Sequence, residues 1–468
     1  MSTRRAGGRA FVVSEHPLVV LEVRPPAIRL LDRLPPGEMV TLGVKTAPEL
    51  RFLRRLADLG LLELRPAASV WPPVTVVVPV RNRPRELADC LVSLTRVCYQ
   101  GPLEVVVVDD ASDPPAAVPE GIRLIRLQRP IGPAGARNAG AAQCCTDLVA
   151  FLDSDCIAEP DWLESLVPEL GDPAVAAAGG RVLPTSERSW LERYEAVRSP
   201  LDLGPTPAAA RPKAPVPYLV TANLVVRRSV FEATGGFDPA LRCGEDVDLC
   251  WRLYSAGHRL AYQPAGRVHH RHRGELTAFA ETRAAYAASE ASLLRRHPHN
   301  GRWLGLSPGM GAALSGALAA VLGRPRLLLA GGIAMGLEVA ATSVRLKSLG
   351  VSGPTSASAL IRGQGNGFYH VGRQLARYYG LPATMLALAA GRRRRGLLLA
   401  IAAAELTPAV LDWWRLRPRL TLPAFVAAGL FDDAAYQVGL LIGCLRQRSA
   451  AALGVELRLM TGQPNPER

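Results

Sequence analysis

The sequence lacks several signatures that would assign a chain of this size to a common class of protein. Its 8 cysteines include no C-x-x-C pair and no spacing with histidine that is typical of a zinc site. It contains no zinc-finger or RNA-recognition motif and no lysine- and arginine-rich segment interleaved with aromatic residues, so we expect no nucleic-acid partner. The basic start, Met1 to Arg5, is followed by no apolar segment with a cleavage site. We therefore expect no secretory signal and reduced thiols in a cytosolic compartment.

Two common phosphate-binding motifs are also missing. The glycine-rich stretch Ile131–Gly140 has no G-K-[ST], and no G-x-G-x-x-G follows the first predicted strand. These absences disfavour NTPases, kinases and dehydrogenases. The stretch does place Arg137 near the start of a predicted helix, where free backbone N–H groups and a guanidinium can bind phosphate. The alternative is a glycine turn that leads into a packed helix, which would leave Arg137 unexplained.

What the chain does have is length and positive charge. The length of 468 residues predicts two or three regions, and the net charge of +14 predicts an anionic partner such as a lipid surface or a small substrate. We predict a small module in residues 1–70, an α/β domain in residues 74–280 and a helical region in residues 281–468.

The N-terminal module combines one predicted helix with two short strands. Leu18–Val23 is rich in valine, Thr46 and Gly60 bound an amphipathic helix, and Leu61–Leu64 follows as a second strand. This order is typical of a winged-helix-like module. It has two interpretations, namely a structural prefix packed on the main domain or a recognition module for a peptide-like acceptor.

Between residues 74 and 153, apolar strands alternate with helices. The predicted strands are Val74–Val80, Leu103–Asp110, Ile122–Leu127 and Leu148–Asp153, and the predicted helices are Glu86–Tyr99 and Ala134–Cys145. Nearly continuous apolar strands are typical of a sheet that is covered on both faces. The alternation predicts an open, doubly wound α/β sheet, in which ligands bind beyond the carboxyl ends of the strands.

Four acids lie at those carboxyl ends, Asp109, Asp110, Asp153 and Asp155. An Asp-x-Asp pair that leaves a buried strand can hold Mg²⁺ or Mn²⁺ against a phosphate, although such residues also cap turns. Several carboxylates at one sheet edge repel each other and need a cation or hydrogen-bond donors.

A second acidic pair, Glu245 and Asp246, lies at the start of a predicted helix. Capping of the helix dipole is one explanation, and a general base at the edge of the sheet is the other. The later segment Gln263–Gly274 contains His269 and His270 among arginines. It is interpreted either as a metal ligand or diphosphate clamp, or as a solvated basic loop.

Taken in order, these motifs resemble those of the inverting glycosyltransferases of family 2, which have the GT-A nucleotide-diphospho-sugar-binding fold. The motifs are Val76-Val-Val-Pro-Val-Arg-Asn82, Val107-Val-Asp-Asp-Ala-Ser112, Gly135-Ala-Arg-Asn138, Phe151-Leu-Asp-Ser-Asp155, Gly235-Gly-Phe-Asp238 and Gly244-Glu-Asp-Val-Asp248. For the nucleotide, the resemblance implies that Pro79 and Asn82 line the base pocket. It also implies that Asp110, with Asp109, accepts a hydrogen bond from uracil.

For the reaction, the resemblance implies that Arg137 approaches the diphosphate and that Asp153 contacts ribose or metal. Asp155 would be the main ligand of a divalent cation, Mg²⁺ or Mn²⁺, with His270 as a further candidate ligand. Asp246 would remove the proton of the acceptor hydroxyl, with support from Glu245. The Q-x-x-R-W motif of processive synthases is not intact, since its nearest match lacks the glutamine, so we expect no long polymer.

The order of an N-terminal module, a GT-A domain and an apolar, arginine-rich tail resembles the glycosyltransferases of the mycofactocin system. That resemblance implies transfer of a hexose, with glucose as the expected sugar, from a UDP-sugar to a peptide-derived redox cofactor. One alternative is a membrane-associated glycosyltransferase that acts on a lipid-linked or cell-envelope glycan with glucose or rhamnose. The other is a nucleotide-sugar-binding regulator without catalysis.

The C-terminal region contains four apolar stretches, Leu304–Leu322, Leu327–Val344, Leu397–Leu411 and Leu422–Leu445. A spanning helix needs about 20 predominantly apolar residues, and only the first stretch approaches this without a charged residue. We expect helices that lie on or partly in the anionic cytoplasmic leaflet, and the alternative is a soluble helical domain. The predicted location is therefore the cytoplasmic side of the cell membrane.

Overall fold

The structure is a computed structural model, and it describes residues 2–6, 9–15, 18–34, 46–64, 71–272, 274–349, 351, 353–391 and 394–460. The chain divides into two compact units. The helical unit comprises residues 1–64, 302–412 and 455–468, and the sheet unit comprises residues 65–301 and 413–454. The predicted helical region 281–468 therefore contributes residues to both units. The predicted domain boundaries themselves stay predictions.

The helical unit begins with a three-stranded antiparallel sheet of β1 (Ser2–Ala6), β2 (Arg9–Glu15) and β3 (Leu18–Val23). Helices α1 (Pro25–Leu31) and α2 (Ala47–Asp58) follow. Thr46 caps the start of α2 as predicted, because the Thr46 side chain accepts a hydrogen bond from the Glu49 amide and the Glu49 carboxylate accepts one from the Thr46 amide.

The prediction of a second strand in this module is wrong. Leu61–Leu64 forms no strand, and the sheet is instead completed by β1 and β2 ahead of the helices. The winged-helix-like arrangement is therefore not confirmed. The linker residues 65–70 lie outside the described part of the chain.

Nine strands form the sheet of the sheet unit. They are β4 (Val74–Val80), β5 (Leu103–Asp109), β6 (Arg123–Arg126), β7 (Leu148–Leu152), β8 (Cys156–Ala158), β9 (Val175–Pro184), β10 (Ala208–Ala209), β11 (Asn223–Arg227) and β12 (Arg259–His270). Their order is β10-β12-β9-β11-β7-β4-β5-β6, and β8 pairs with β12. Strand β4 runs parallel to β5 and β7, whereas β11 runs antiparallel to β7 and β9. The predicted α/β class is confirmed.

Helices cover both faces of this sheet. They are α3 (Pro84–Leu94), α4 (Gly132–Ala141), α5 (Trp162–Leu166), α6 (Trp190–Arg198), α7 (Arg228–Ala233), α8 (Glu245–Ser255) and α9 (Leu276–Arg296). Along β4, Val76 and Val78 join one buried cluster and Val77 joins the other, as strand alternation requires. A Cβ atom on Gly140 of α4 would come within 2.4 Å of Val77 Cγ1. This glycine lets α4 lie directly on the sheet, which brings its first turn to the carboxyl end of β4.

The rest of the helical unit is α10 (Pro308–Val321), α11 (Arg326–Ser348), α12 (Gly353–Gln374), α13 (Gly380–Leu388) and α14 (Arg394–Leu416), with a parallel pair of β13 (Trp303–Leu306) and β14 (Glu456–Leu459). Helices α11 and α14 are long and apolar enough to cross a membrane. Only 6% of the most apolar window of α11 is buried. The expectation that Leu304–Leu322 comes nearest to a span is wrong, because that stretch contains a strand and a shorter helix.

The last helix, α15 (Leu422–Gln447), also meets the length and composition of a span, but it belongs to the sheet unit. It packs closely on α9, since a Cβ atom on Gly443 would lie 2.5 Å from the Ala288 carbonyl oxygen. Buried Arg283 of α9 lies 3.2 Å from Asp432 of α15 and 2.9 Å from Glu195 of α6. This buried ionic cluster fixes α15 against the rest of the unit.

Candidate active site

Arg137 of α4 connects the two predicted acidic pairs. Its Nη2 donates to Asp153 Oδ1 at 2.6 Å, and its Nη1 donates to Glu245 Oε1 at 2.7 Å. Burial alone would lower the pKa of Arg137, but Asp153 and Glu245 hold this pKa above its ordinary value. A charged guanidinium thus lies between the end of β7 and the start of α8. In this structure Arg137 binds carboxylates, and its predicted approach to a diphosphate stays a prediction.

The Asp153 and Asp155 pair follows β7 as predicted. Burial would raise the pKa of Asp153, but Arg137 lowers it below the ordinary value. The Asp155 carboxylate contacts the guanidinium of Arg83 and lies 3.5 Å from Nε2 of His270. Arg83 was missed by sequence reasoning, because nothing in its local sequence distinguishes it from the neighbouring arginines.

Of the two histidines that the sequence offered, His270 lies at the Asp155 carboxylate. His269 is engaged elsewhere, with Nε2 at 2.8 Å from Glu159 Oε1 and Nδ1 at 3.1 Å from the carbonyl oxygen of Pro184. Both histidines belong to strand β12, which pairs with β8 and β9. The alternative interpretation as a solvated loop is therefore wrong for His269 and His270.

The donor set at this edge fits a divalent cation that shares its coordination with a substrate. Within the described ranges, no group of three or more histidine, cysteine, aspartate or glutamate residues is placed to hold a metal. Asp155 and His270 nevertheless form a pair, and Nδ1 of His270 is buried without a hydrogen-bond partner among the described residues. Mg²⁺ is usually bound by one or two carboxylates that are completed by substrate phosphates. Asp155, His270 and Asp153 suit that kind of shared site.

The Glu245 and Asp246 pair opens helix α8. The helix begins after Gly244, whose φ of +82° is the left-handed conformation that glycine adopts without strain. Glu245 is buried and bound to Arg137, while partly exposed Asp246 accepts a hydrogen bond from the Val247 amide at 2.8 Å. Burial raises the pKa of Asp246 to about 7, and the adjacent Glu245 charge adds to this shift. A carboxylate with a pKa near the working pH is well suited to general-base catalysis.

Asp109 has a structural role in this structure. Its carboxylate is fully buried and accepts hydrogen bonds from the amides of Ser112 at 2.8 Å and Ala116 at 3.1 Å. Burial would raise the pKa of Asp109, but these bonds and Arg126 lower it. The Asp109 side chain holds the loop after β5, and its contact with a nucleotide stays a prediction.

Asp110 is also occupied by backbone groups. Its two oxygens accept hydrogen bonds from the amides of Ile131 at 2.7 Å and Gly132 at 2.9 Å, at the start of α4. The helix N-terminus that the sequence offered to a phosphate is thus filled by this carboxylate. Each Asp110 oxygen has a further lone pair that could accept a hydrogen bond from uracil, and that role stays a prediction.

Pro79 and Asn82 lie at the end of β4 and in the loop after it. Asn82 has a φ of +54°, its amide donates to Ser112 Oγ at 3.0 Å, and its Oδ1 accepts from the Asp113 amide at 2.9 Å. These bonds join the loops that follow β4 and β5. The two predicted base-pocket residues are therefore held beside the loop that carries Asp110.

Comparison with known proteins gives this site its family. Residues 75–235 match the family described as Glycosyl transferase family 2. The chain is 36% identical over 445 residues to a pre-mycofactocin glycosyltransferase of Mycobacterium tuberculosis, covering 89% of each chain. The chain is a family 2 glycosyltransferase. The α/β sheet described above is accordingly that of the GT-A fold, as predicted.

Other relatives of this glycosyltransferase match shorter segments. An N-acetylglucosaminyltransferase of Mesorhizobium japonicum is 39% identical over 140 residues, which are 27% of this chain and 33% of that protein. Among solved structures, a mannosyltransferase from Pyrobaculum calidifontis in complex with GDP-mannose and Mn²⁺ is 20% identical. The match covers 79% of this chain and 95% of that one, with a TM-score of 0.41. The family match covers residues 75–235 and assigns no role to single residues, so the roles of both acidic pairs stay predictions.

Proposed function

We propose that this glycosyltransferase moves a hexose from a UDP-sugar to a hydroxyl group of a mycofactocin-type, peptide-derived acceptor. The proposed hexose is glucose. The observation that carries this proposal is the Asp153–Arg137–Glu245 bridge, which joins the strand-end aspartate pair to the first residue of α8. The next residue, Asp246, has a pKa raised to about 7. Similarity over most of the chain to a pre-mycofactocin glycosyltransferase supports the choice of acceptor.

The donor side neutralises charge. Asp155, Asp153 and His270 would hold a divalent cation, which when bound stabilises the negative charge of a departing diphosphate. Arg83 lies at the Asp155 carboxylate and adds positive charge to the same edge. Arg137 fixes the direction of the Asp153 carboxylate and, against the effect of burial, holds the pKa of Asp153 below its ordinary value.

The acceptor side moves a proton. Asp246 would accept the proton of the attacking hydroxyl as the new carbon–oxygen bond forms and the bond from the sugar to the diphosphate breaks. Attack from the face opposite the leaving group inverts the anomeric carbon. Glu245, held by Arg137, keeps a negative charge beside Asp246 and so increases the proton affinity of the base. General-base assistance contributes roughly 10²–10⁴-fold to a rate.

We also propose that the chain associates with the cytoplasmic side of the membrane through α11 and α14. Leu329 of α11 is 70% exposed and Leu399 of α14 is 72% exposed, so both helices present apolar side chains to solvent. Extended apolar surface of this kind is typical of membrane or protein interaction sites.

Turnover by the purified full-length chain tests the proposal. With UDP-glucose, Mn²⁺ and a pre-mycofactocin acceptor, we expect UDP release and an acceptor mass increased by hexosyl units. GDP-mannose and UDP-N-acetylglucosamine serve as donor controls. Binding of UDP without release of UDP from any UDP-sugar would contradict the proposed reaction, and transfer only to a lipid-linked glycan would contradict the proposed acceptor.

A further inference from the structure

Helix α15 has one face that is committed to the protein interior. Asp432, Asp433, Tyr436 and Leu440 are buried, and Asp432 is paired with Arg283 of α9. Withdrawing this face into a bilayer would separate the buried charges, which is strongly unfavourable. Helix α15 therefore does not cross a membrane as a free span, although its length and composition would allow it.

The opposite face of α15 is an apolar stripe. It consists of Leu430, Phe431, Val438, Leu441, Ile442 and Leu445, which are 37% to 77% exposed. Spacings of three, four and seven residues place them on one side of a helix with 3.6 residues per turn. An exposed stripe along several turns needs an apolar environment.

A basic cavity lies near the C-terminal end of α15, where Gly443, Arg446 and Gln447 of this helix line it. It has a volume of about 500 Å³, is floored by the close crossing of α9 and α15, and is rimmed by Arg242, Arg295, Arg296 and Arg446. Arg296 contacts Asp238, and Arg295 donates to the neutral Gln447 side chain at 3.1 Å. Arg242 and Arg446 have no ion pair within the described ranges, and no acidic residue lines the cavity. The cavity is therefore electropositive.

We propose that α15 lies in the plane of an anionic membrane surface, with its stripe among the acyl chains and the cavity around a lipid phosphate group. An apolar helix face beside a cluster of arginines is complementary to a bilayer that presents phosphates above hydrocarbon. The inference rests on the proposed membrane location and adds a contact made by the sheet unit itself. Cys243 lines the cavity and directly precedes the Gly244–Asp246 turn, so the base would lie close to the lipid surface.

Vesicle binding by the full-length chain tests this contact. We expect stronger partition onto phosphatidylglycerol vesicles than onto phosphatidylcholine vesicles. Leu441→Glu with Leu445→Glu should weaken partition onto both by roughly tenfold per leucine, because each side chain loses its apolar environment. Val92→Glu, on the exposed side of α3, is the matched control and should change nothing.

The preference for phosphatidylglycerol over phosphatidylcholine vesicles tests the role of the cavity arginines. Arg242→Gln with Arg446→Gln should reduce the preference for phosphatidylglycerol by about fivefold per arginine, whereas Arg96→Gln, exposed on the sheet unit outside the cavity, should leave it intact. Competition by glycerol phosphate in solution separates a headgroup held in the cavity from diffuse attraction, and loss of preference with millimolar competitor supports the cavity.

Two outcomes would overturn the inference. In the first, the wild type binds vesicles and both paired variants bind equally well, which leaves membrane association to α11 and α14 alone. In the second, the chain is a dimer in solution that the leucine pair of substitutions dissociates, which assigns the stripe to a second copy. UDP release in detergent solution by the leucine variant should equal that of the wild type, so a failed membrane contact is distinguishable from a failed transferase.

Discussion

The two acidic pairs of the site have the same chemistry and opposite surroundings. Asp153 lies against Arg137, and its pKa is held below the ordinary value. Asp246 has no guanidinium within hydrogen-bond distance among the described residues, and burial raises its pKa to about 7. A direct hydrogen bond from Arg137 therefore distinguishes Asp153, whose pKa is lowered, from Asp246, whose pKa is raised.

This difference explains a division of labour within one sheet edge. A carboxylate that stays charged can hold a cation or a donor, whereas a carboxylate that titrates near pH 7 can exchange protons with an acceptor. Glu245 connects the two pairs, because it binds Arg137, which also binds Asp153, and lies next to Asp246 in the chain. The bridge thus lets the donor side influence the proton affinity of the base.

Replacement of Arg137, which binds one residue of each acidic pair, should have the largest effect on stability. Arg137→Met leaves Asp153 and Glu245 without their buried partner, and removal of one member of a buried ion pair reduces the free energy of unfolding by about 3–5 kcal/mol. The measurement is denaturant unfolding. The control is Arg123→Met, whose exposed pair with Glu104 at 3.8 Å should contribute only about 0–1 kcal/mol. Equal effects of the two substitutions would contradict the bridging role.

Removal of divalent cations should lower hexose transfer without unfolding the protein. Removal of divalent cations with EDTA is expected to lower transfer on the order of 10²-fold, since Lewis-acid stabilisation contributes several kcal/mol. Added Mn²⁺ should restore transfer. The melting temperature should hardly change, because Arg83 and Arg137 already compensate the two aspartates. Full activity after exhaustive chelation would show that the pair needs no metal.

The pH dependence of hexose transfer tests the role of Asp246 as a general base. Because Asp246 must be deprotonated to act as a base, transfer should rise about tenfold per pH unit below pH 7 and level off above it. Since Arg137 lowers the pKa of Asp246, a folded Arg137→Lys variant should keep an inflection close to that of the wild type. A flat profile between pH 5 and pH 8 would remove Asp246 from the proton transfer.

The smallest expected effect is on stability. The folded chain holds the proton of Asp246 more tightly than the unfolded chain, so this group lowers stability as pH rises from about 4 to about 7. Asp246→Asn should therefore stabilise the protein at pH 8 by about 1 kcal/mol, allowing for partial exposure, and have no effect near pH 4. Unfolding curves of both proteins at the two pH values provide the measurement, and Asp89→Asn is the exposed control.

The parts of the fold that were predictable carry local signals. Strands β4, β5 and β7 are apolar runs, of which β5 and β7 lead into acids, and the capping residue Thr46 marks the start of α2. The same strand ends gave the Asp153 and Asp155 pair, and the first turn of α8 gave Glu245 and Asp246. Such signals depend on neighbours in the chain, so one sequence is sufficient to find them.

The remaining features depend on distant partners. Arg137 and Glu245 are 108 residues apart, and Arg83 and Asp155 are 72 residues apart, so no local pattern pairs them. The pattern that places Asp110 at a nucleotide could not show its hydrogen bonds from the Ile131 and Gly132 amides, which lie 21 and 22 residues away in the chain. Likewise, the sequence could not show that Asp432 of α15 pairs with Arg283 of α9.

The most direct test of the divided site compares Asp246→Asn with Asp155→Asn in one assay of UDP-glucose binding by calorimetry and hexose transfer by UDP release. We expect Asp246→Asn to bind UDP-glucose with wild-type affinity and to lose roughly 10²–10⁴-fold in transfer. Asp155→Asn should lose both Mn²⁺-dependent binding and transfer. Undiminished transfer by Asp246→Asn, or an equal loss of donor binding in both variants, would contradict the assignment of proton transfer to one pair and donor binding to the other.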